Sequence, residues 1–570
     1  MKKILDLLPP AFRLRGLWVA FTLLLRAGLN LFGIALLLPV LMLVLDSEAS
    51  NSSGFLIRIY KALGFDSLRD FPLTVCVAVV AIIGVKCVAV FLLTRIERRY
   101  IYDLYRTLSR RLYVAYHDRG LAYIKRMSAA VLSRNVNMLS LQFTAGVLKP
   151  AATICAEGMM LLLLFGALAL YVPWAALLSA VVFLPAAWIY YAFVRNRIDQ
   201  YGSSENRAQR EKSRLVAETF NGYAEIEING AFDTMLQSFD RATEEVIRTR
   251  SKEADVAQLP PILTETGLVL SLAFLAAISV HAAGGEGELM FGIFAVAALR
   301  LMPSVRNILS CWTTLRYNRN AIRVLHDALD GAAPDRKRDA EPRNDGKLPL
   351  LPFEHDITLR RMEFRYPNAR ARLFTGLDMV IHKGEYLGIS GRSGVGKTTL
   401  FKLLLGLYEP TGGTIEIDGV PLTAANRRAW QNRLGYVSQR LFIAEGTLAT
   451  NIALGEPGAP IDRQRVMEAI EMAQLSEFVA VLPQGIDTPV GEGGSRLSGG
   501  QRQRIGIARA LYRRADVLFF DEATSELDSL TASEIAHAIA CIASYRPDMT
   551  ILAIAHHEAA LQGCDRIIIL

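Results

Sequence analysis

Long apolar runs crowd the first 315 residues of this chain, and short ones fill the rest. Six runs are long enough to cross the hydrocarbon core of a bilayer, at residues 17–45, 72–94, 142–170, 174–194, 262–282 and 289–312. The connections 95–141 and 195–261 are rich in Arg, Glu and Lys and read as helices that continue beyond the apolar stretches. Phe55, Leu56, Ile59, Tyr60 and Leu63 recur at helical spacing, which predicts an amphipathic interfacial segment over 54–64. Residues 331–347 are charged, contain proline and have no apolar period, so they read as a linker. Beyond them, 384–390 (G-E-Y-L-G-I-S) and 517–520 (V-L-F-F) are short buried strands in prospect. The pattern divides the chain into a helical membrane domain over 1–330, a linker over 331–348 and an α/β domain over 349–570. No small-residue cleavage site follows a short apolar core at the N-terminus, so the first run is expected to be retained.

Composition agrees with membrane. The chain is 52% hydrophobic with a mean hydropathy of +0.27. Charge then orients it. Residues 95–134 carry ten Lys/Arg against three Asp/Glu, whereas 46–71 carry four acids and three bases, and 286–288 (E-G-E) is acidic. Positively charged loops stay on the cytoplasmic side, which puts the N-terminus and the α/β domain there and requires an even number of crossings. The net charge of +8 comes mostly from these loops; it suits an anionic inner leaflet and is no argument for nucleic acid. Cysteines at 76, 87, 155, 311, 541 and 564 have no metal-ligand spacing and read as core residues rather than a disulfide framework.

Candidate chemistry lies near the C-terminus. Residues 391–398 read G-R-S-G-V-G-K-T, a P-loop between a predicted strand and a predicted helix. Glycines 391, 394 and 396 let backbone N–H groups wrap phosphate at a helix N-terminus. Lys397 is placed to reach the β- and γ-phosphates of ATP, and the Thr398 hydroxyl to ligate Mg²⁺. The run 517–520 delivers Asp521 and Glu522 to the carboxyl edge of a parallel sheet, where ligands bind. Residues 497–501, L-S-G-G-Q, precede a convincing helix, so Ser498 and Gly499 open a second anion-facing helix end.

P-loop, L-S-G-G-Q and Asp521-Glu522, in that order, resemble the ATPase domain of the ABC transporter superfamily. Six predicted spans with two long inner excursions resemble its type I (type IV) exporter half-transporters, and the resemblance covers the whole chain. It implies an α-helical membrane domain of six transmembrane helices joined to an α/β P-loop NTPase domain, working as an ATP-driven translocase. It also implies roles. Asp521 and Gln439 join Thr398 on Mg²⁺; Glu522 polarises the attacking water; His556 lies near the γ-phosphate. Tyr366 stacks on adenine, and Ser393 and Thr399 complete the P-loop. Ser498, Gly499 and Gly500 serve the ATP of a second copy, so that a homodimer sandwiches two nucleotides. Glu492, in 490–494 (V-G-E-G-G), matches the exporter-type loop that contacts the coupling helices. Three departures remove no catalytic group: Glu526 where alanine is usual, His557 where arginine is common, and an ending at 565–570 (D-R-I-I-I-L) where relatives continue with Asp-x-Gly.

Cargo must be read from the membrane half. Its ionisable residues are mainly basic: Arg26, Lys86, Lys149, Arg300 and Arg306, against Glu157 and Glu265. For Arg26 and Lys149, pairing with Glu157 and Glu265 or snorkelling to the interface is the expected fate. Lys86, Arg300 and Arg306 are candidates to hold an anionic head group, with pairing to the same acids the open alternative. Residues 299–304, 490–495 and 563–566 resemble bacterial lipid-linked oligosaccharide flippases. That resemblance implies an anionic glycolipid, polyprenyl-pyrophosphate-linked, flipped across the bacterial inner membrane. The alternatives are an exporter of lipid A-type lipid, drug or peptide. A soluble ABC ATPase acting on ribosomes or DNA is disfavoured by the six spans, and an ATP-gated channel or receptor by an intact Glu522.

Overall fold

The computed structural model describes residues 6–36, 71–127, 129–171, 173–281, 286–330, 350–367, 369–455, 460–523, 529–555, 561 and 563–570. It separates into two compact units, Met1–Asp335 and Arg336–Leu570. The expected interfacial segment at 54–64 and the linker at 331–348 lie outside the described residues.

The first unit is built from long helices: α1 (Pro10–Ala35), α2 (Phe71–Asp118), α3 (Lys149–Tyr171), α4 (Pro173–Asn221), α5 (Phe232–His281), α6 (Glu286–Tyr317) and the short α7 (Arg319–Leu329). At 1.5 Å per residue, α2, α4 and α5 each run for about 70 Å, more than twice a hydrocarbon core. Each is apolar for part of its length and charged for the rest, as the sequence predicted for helices extending out of the apolar stretches. Among the described residues two helical runs are long and apolar enough to cross a membrane, Cys76–Asp118 and Ala129–Leu170. α4 packs along α5, α3 along α6, and α1 against α2 and α3.

Four-residue spacing sets the helix contacts. Tyr190, Val194 and Ile198 on α4 meet Leu301, Val305 and Leu309 on α6 in one buried ladder, the i±4 ridges expected at a helix–helix seam. Leu104, Leu108 and Leu112 on α2 do the same against Phe143, Val147 and the Leu325 of α7. Pro260 and Pro261 lie inside α5. Pro260 has no N–H to offer the carbonyl of Val256, and the Tyr190 hydroxyl stands 3.4 Å from that oxygen.

The third apolar run differs from expectation. Instead of one α-helix from 142, the chain forms two π-helical segments, Asn135–Leu139 and Thr144–Leu148, before α3 begins. Pro150 is the local cause: it cannot donate to the carbonyl of Gly146, and the ladder slips to wider bonds. Gly146 also permits a close approach, since a Cβ there would lie 2.5 Å from Asn318 Cγ.

The second unit is α/β. An antiparallel sheet has the order β2-β1-β4-β5, with β1 at Asp356–Phe364, β2 at Phe374–His382, β4 at Gly412–Ile417 and β5 at Val420–Pro421, and a parallel sheet of five strands has the order β6-β7-β8-β3-β9. The strands of the parallel sheet are β3 (Tyr386–Ser390), β6 (Leu434–Val437), β7 (Val517–Asp521), β8 (Thr550–Ile554) and β9 (Arg566–Ile569). β7 and β8 are buried at every position, as continuous apolar runs in a sheet covered on both faces must be. Three helices join them here: α8 (Lys397–Leu404), α9 (Gly499–Tyr512) and α10 (Ser529–Tyr545).

Candidate nucleotide site

β3 ends at Ser390 and hands the chain to a loop that returns as α8, the strand, loop and helix predicted from sequence. Gly396 caps α8 at φ +112, in the region that favours glycine, and a Cβ there would press on Phe374 Cζ at 2.9 Å. Gly394, at φ +85, has no atom within 4 Å of where its Cβ would be. The loop is therefore tight on its inner side and open on its outer side, a cradle for a group that backbone N–H must touch. Lys397 is buried, and its Nζ donates to the carbonyls of Gly391 (2.8 Å) and Arg392 (3.3 Å), across the loop it belongs to.

Two strands away, Asp521 ends β7. Thr398 Oγ1 donates to Asp521 Oδ1 at 2.9 Å, and the Tyr436 hydroxyl donates to Oδ2 at 3.0 Å. Burial pushes the Asp521 carboxyl above the usual carboxylate range, while those two hydroxyls and Lys402 pull it down. The pair Thr398–Asp521 offers oxygens of the hard type that Mg²⁺ prefers. Glu522, the next residue, adopts φ +52, one of few non-glycine residues in the left-handed region, and its N–H donates to the Ile554 carbonyl of β8. Such a backbone costs about 1–3 kcal/mol and persists where its surroundings fix it.

Tyr366 is half-buried, its hydroxyl 2.7 Å from Thr399 Oγ1 and its ring edge-on to Phe364 and Tyr408 at 5.0 and 5.8 Å. Ser498 caps α9 with a full capping box: its Oγ accepts from Gln501 N–H at 3.2 Å, and Gln501 Oε1 accepts from Ser498 N–H at 2.9 Å. Gln439 is exposed, and its carbonyl accepts from Gln503 Nε2 at 2.9 Å, tying that segment to α9. Gly491, Gly493 and Gly494 around Glu492 all take positive φ. His556 and Glu526 lie outside the described residues.

Lys397, Thr398, Thr399, Tyr366 and Asp521 are thus gathered at one edge of the parallel sheet. Sequence reading missed two aromatic supports, Tyr436 on Asp521 and Tyr408 beside Tyr366. Single tyrosines carry no spacing signal, and only the strand neighbours β6 and β7 bring Tyr436 to its carboxylate.

In the helical unit, Arg26 departs from expectation. It pairs with Glu97 at 2.7 Å, not with Glu157 or Glu265, because α1 lies against α2 and the two side chains meet there, both largely buried. Glu157 instead accepts from Asn307 Nδ2 at 3.2 Å. Lys86 lies over Gly33 of α1, where a Cβ would be 2.9 Å from its Nζ. Arg306 is half-buried on α6. Arg300 belongs to the same helix, but its side chain lies outside the described ones.

Known proteins resemble this chain in sequence and in fold. Residues 374–525 match the ABC transporter family model. A Chromobacterium violaceum protein named "ATP-dependent lipid A-core flippase" is 30% identical over 453 residues, covering 79% of this chain and 74% of its own length. A protein of the same name from Burkholderia pseudomallei is 28% identical over 517 residues, covering 89% and 84%. Among solved structures, that of a bacterial Atm1-family ABC exporter with ATP bound superposes with a TM-score of 0.78 over 99% of this chain and 94% of the other, at 22% identity; this likeness shows the fold. The chain belongs to the ABC exporters, as a half-transporter that binds and hydrolyses ATP.

Proposed function

We propose that this half-transporter flips a phosphorylated glycolipid of lipid A type across the bacterial inner membrane, as a homodimer of six-span chains with cytoplasmic ATPase domains. The observation that carries the reading is similarity to lipid A-core flippases over 89% of the chain, membrane half included. The names of these relatives favour lipid A-type cargo over the polyprenyl-pyrophosphate-linked oligosaccharide expected from short segments. The basic character of the helical unit fits either, since both cargoes carry phosphate. Lys86, Arg300 and Arg306 are proposed to meet that charge in a region of low dielectric.

In the ATPase unit, the 391–396 loop binds phosphate through backbone N–H and Lys397 exchanges its loop carbonyls for phosphate oxygens. Thr398, Asp521 and Gln439 would hold Mg²⁺, which neutralises charge on the phosphates. Glu522, fixed by its backbone bond to Ile554, orients the attacking water, with His556 beside the γ-phosphate. Tyr366 presents a ring to adenine. Ser498, Gly499 and Gly500 complete the site of the other copy.

The test is flipping in proteoliposomes, with lipid A-core and a polyprenyl-pyrophosphate oligosaccharide side by side. Movement of the first alone supports the proposal; movement of the second alone replaces it. Lys86→Ala, Arg300→Ala and Arg306→Ala should reduce flipping while ATP hydrolysis continues, and unchanged flipping in all three overturns the charge argument.

A further inference from the structure

A pocket opens in the helical unit, lined by Arg134, Arg210, the four amides Asn135, Gln142, Asn206 and Asn320, and apolar side chains. Part of its wall is the π-helical segment Asn135–Leu139; such segments occur frequently at functional sites. No carboxylate lines it among the described residues. Arg134 is half-buried and donates from Nη2 to Asn206 Oδ1 at 2.8 Å. Arg210 is exposed and makes no hydrogen bond or ion pair among the described residues.

The two guanidiniums sense one another: burial first, then the Arg210 charge, depress the proton affinity of Arg134, while Glu205 opposes them. Glu205 is already engaged, accepting from Arg250 Nε at 2.7 Å and from the Tyr317 hydroxyl. Amides and apolar side chains, Leu139 and Val324 among them, complete the lining. Asn320 accepts from Arg323 Nη2 through Oδ1 at 2.9 Å, which leaves its amide hydrogens to the pocket side of the balance. The Gln142 side chain makes no hydrogen bond among the described residues. Two guanidiniums and four amides, with no acid among them, form a surface rich in donors whose like charges repel until an anion joins them.

We propose that this pocket binds a phosphate group, a tetrahedral oxyanion whose oxygens match the paired guanidinium forks and the amides of Gln142 and Asn320. Arginine favours such bidentate contact where lysine offers only a point charge. Asn206 lies about 50 Å along α4 from Pro173, beyond a hydrocarbon core of about 30 Å. That depth favours a soluble phosphate over a lipid head group. Neither the P-loop residues nor Lys86, Arg300 and Arg306 are in its lining, so its occupancy is separable from the proposed cargo.

Calorimetric titration of inorganic phosphate into the full-length chain in phosphatidylcholine nanodiscs tests the site. Ionic strength is held constant, and the Lys397→Ala background silences the P-loop. One saturable site per chain is expected, weakened about tenfold or more by Arg210→Ala and less by Arg210→Lys. Arg210 is exposed, so in the otherwise unsubstituted chain Arg210→Ala should leave ATP hydrolysis intact. Competition by phosphatidic acid in the nanodisc would keep the site and assign it to a lipid head group; indifference to that lipid would keep the soluble source. Absence of saturable binding into the tens of millimolar overturns the proposal. So does binding that Arg210→Ala and Arg134→Gln both leave unchanged.

Discussion

The two units of this chain bury opposite parts of similar residues. In the α/β unit the apolar runs are strands, and Phe519, Leu518, Ile551 and Leu552 have no exposed surface. In the helical unit, Val77, Val80, Val85, Val88 and Phe91 line α2 with their side chains open, Val85 at 72% exposure. An apolar surface of that extent marks contact with something equally apolar. The same composition therefore means core in one unit and outer surface in the other. Burial in the helical unit is left to narrow seams, such as Tyr190 to Ile198 against Leu301 to Leu309.

The largest expected effect falls on the chemistry of the α/β unit. Glu522→Gln should lower steady-state phosphate release by roughly a thousandfold, within the usual range for removing a general base, while ATP still binds in a filter assay. Turnover near that of the unsubstituted protein would remove Glu522 from its role. Next comes packing. Phe519→Ala should destabilise the α/β unit by about 3–5 kcal/mol, whereas Val85→Ala in nanodiscs should shift stability by less than about 1 kcal/mol, read as thermal inactivation. Equal losses would break the contrast between the two units.

Tyr436→Phe deletes one hydroxyl from Asp521 and nothing else in that contact. Supports of this kind typically alter metal affinity by a factor of about ten or more; the Mg²⁺ dependence of ATPase activity should shift by roughly tenfold with the maximal rate less affected. A small effect is also expected from Ser498→Ala, which opens the capping box of α9 and should lower stability by about 1 kcal/mol, read as the thermal midpoint of the α/β unit.

Legibility followed the same division. The P-loop, α9 and the Asp521-Glu522 strand end were readable because backbone geometry dictates them. A phosphate cradle needs glycines at fixed offsets, and a buried parallel strand needs a continuous apolar run. Asp521 was found that way, but its partner Tyr436 was not, since sheet order rather than spacing joins them. In the helical unit, apolar length announced helices but not partners. Arg26 and Glu97 lie on different helices with no common period, and of the two fates expected for Arg26, pairing with Glu157 or Glu265 gives way to pairing with Glu97. The π-helical segments were also hidden. Pro150 and Gly146 are ordinary inside an apolar run until the ladder they interrupt is traced.

α4 and α5 run side by side, 49 and 50 residues long. In mechanical terms they form a beam: two rods joined along their length resist bending far better than either alone. A tilt of about 10° at one end of a rod about 70 Å long moves the other end by about 12 Å. The prolines at 260 and 261 interrupt the hydrogen-bond ladder of one rod, and the neighbouring rod running alongside carries the load past that point.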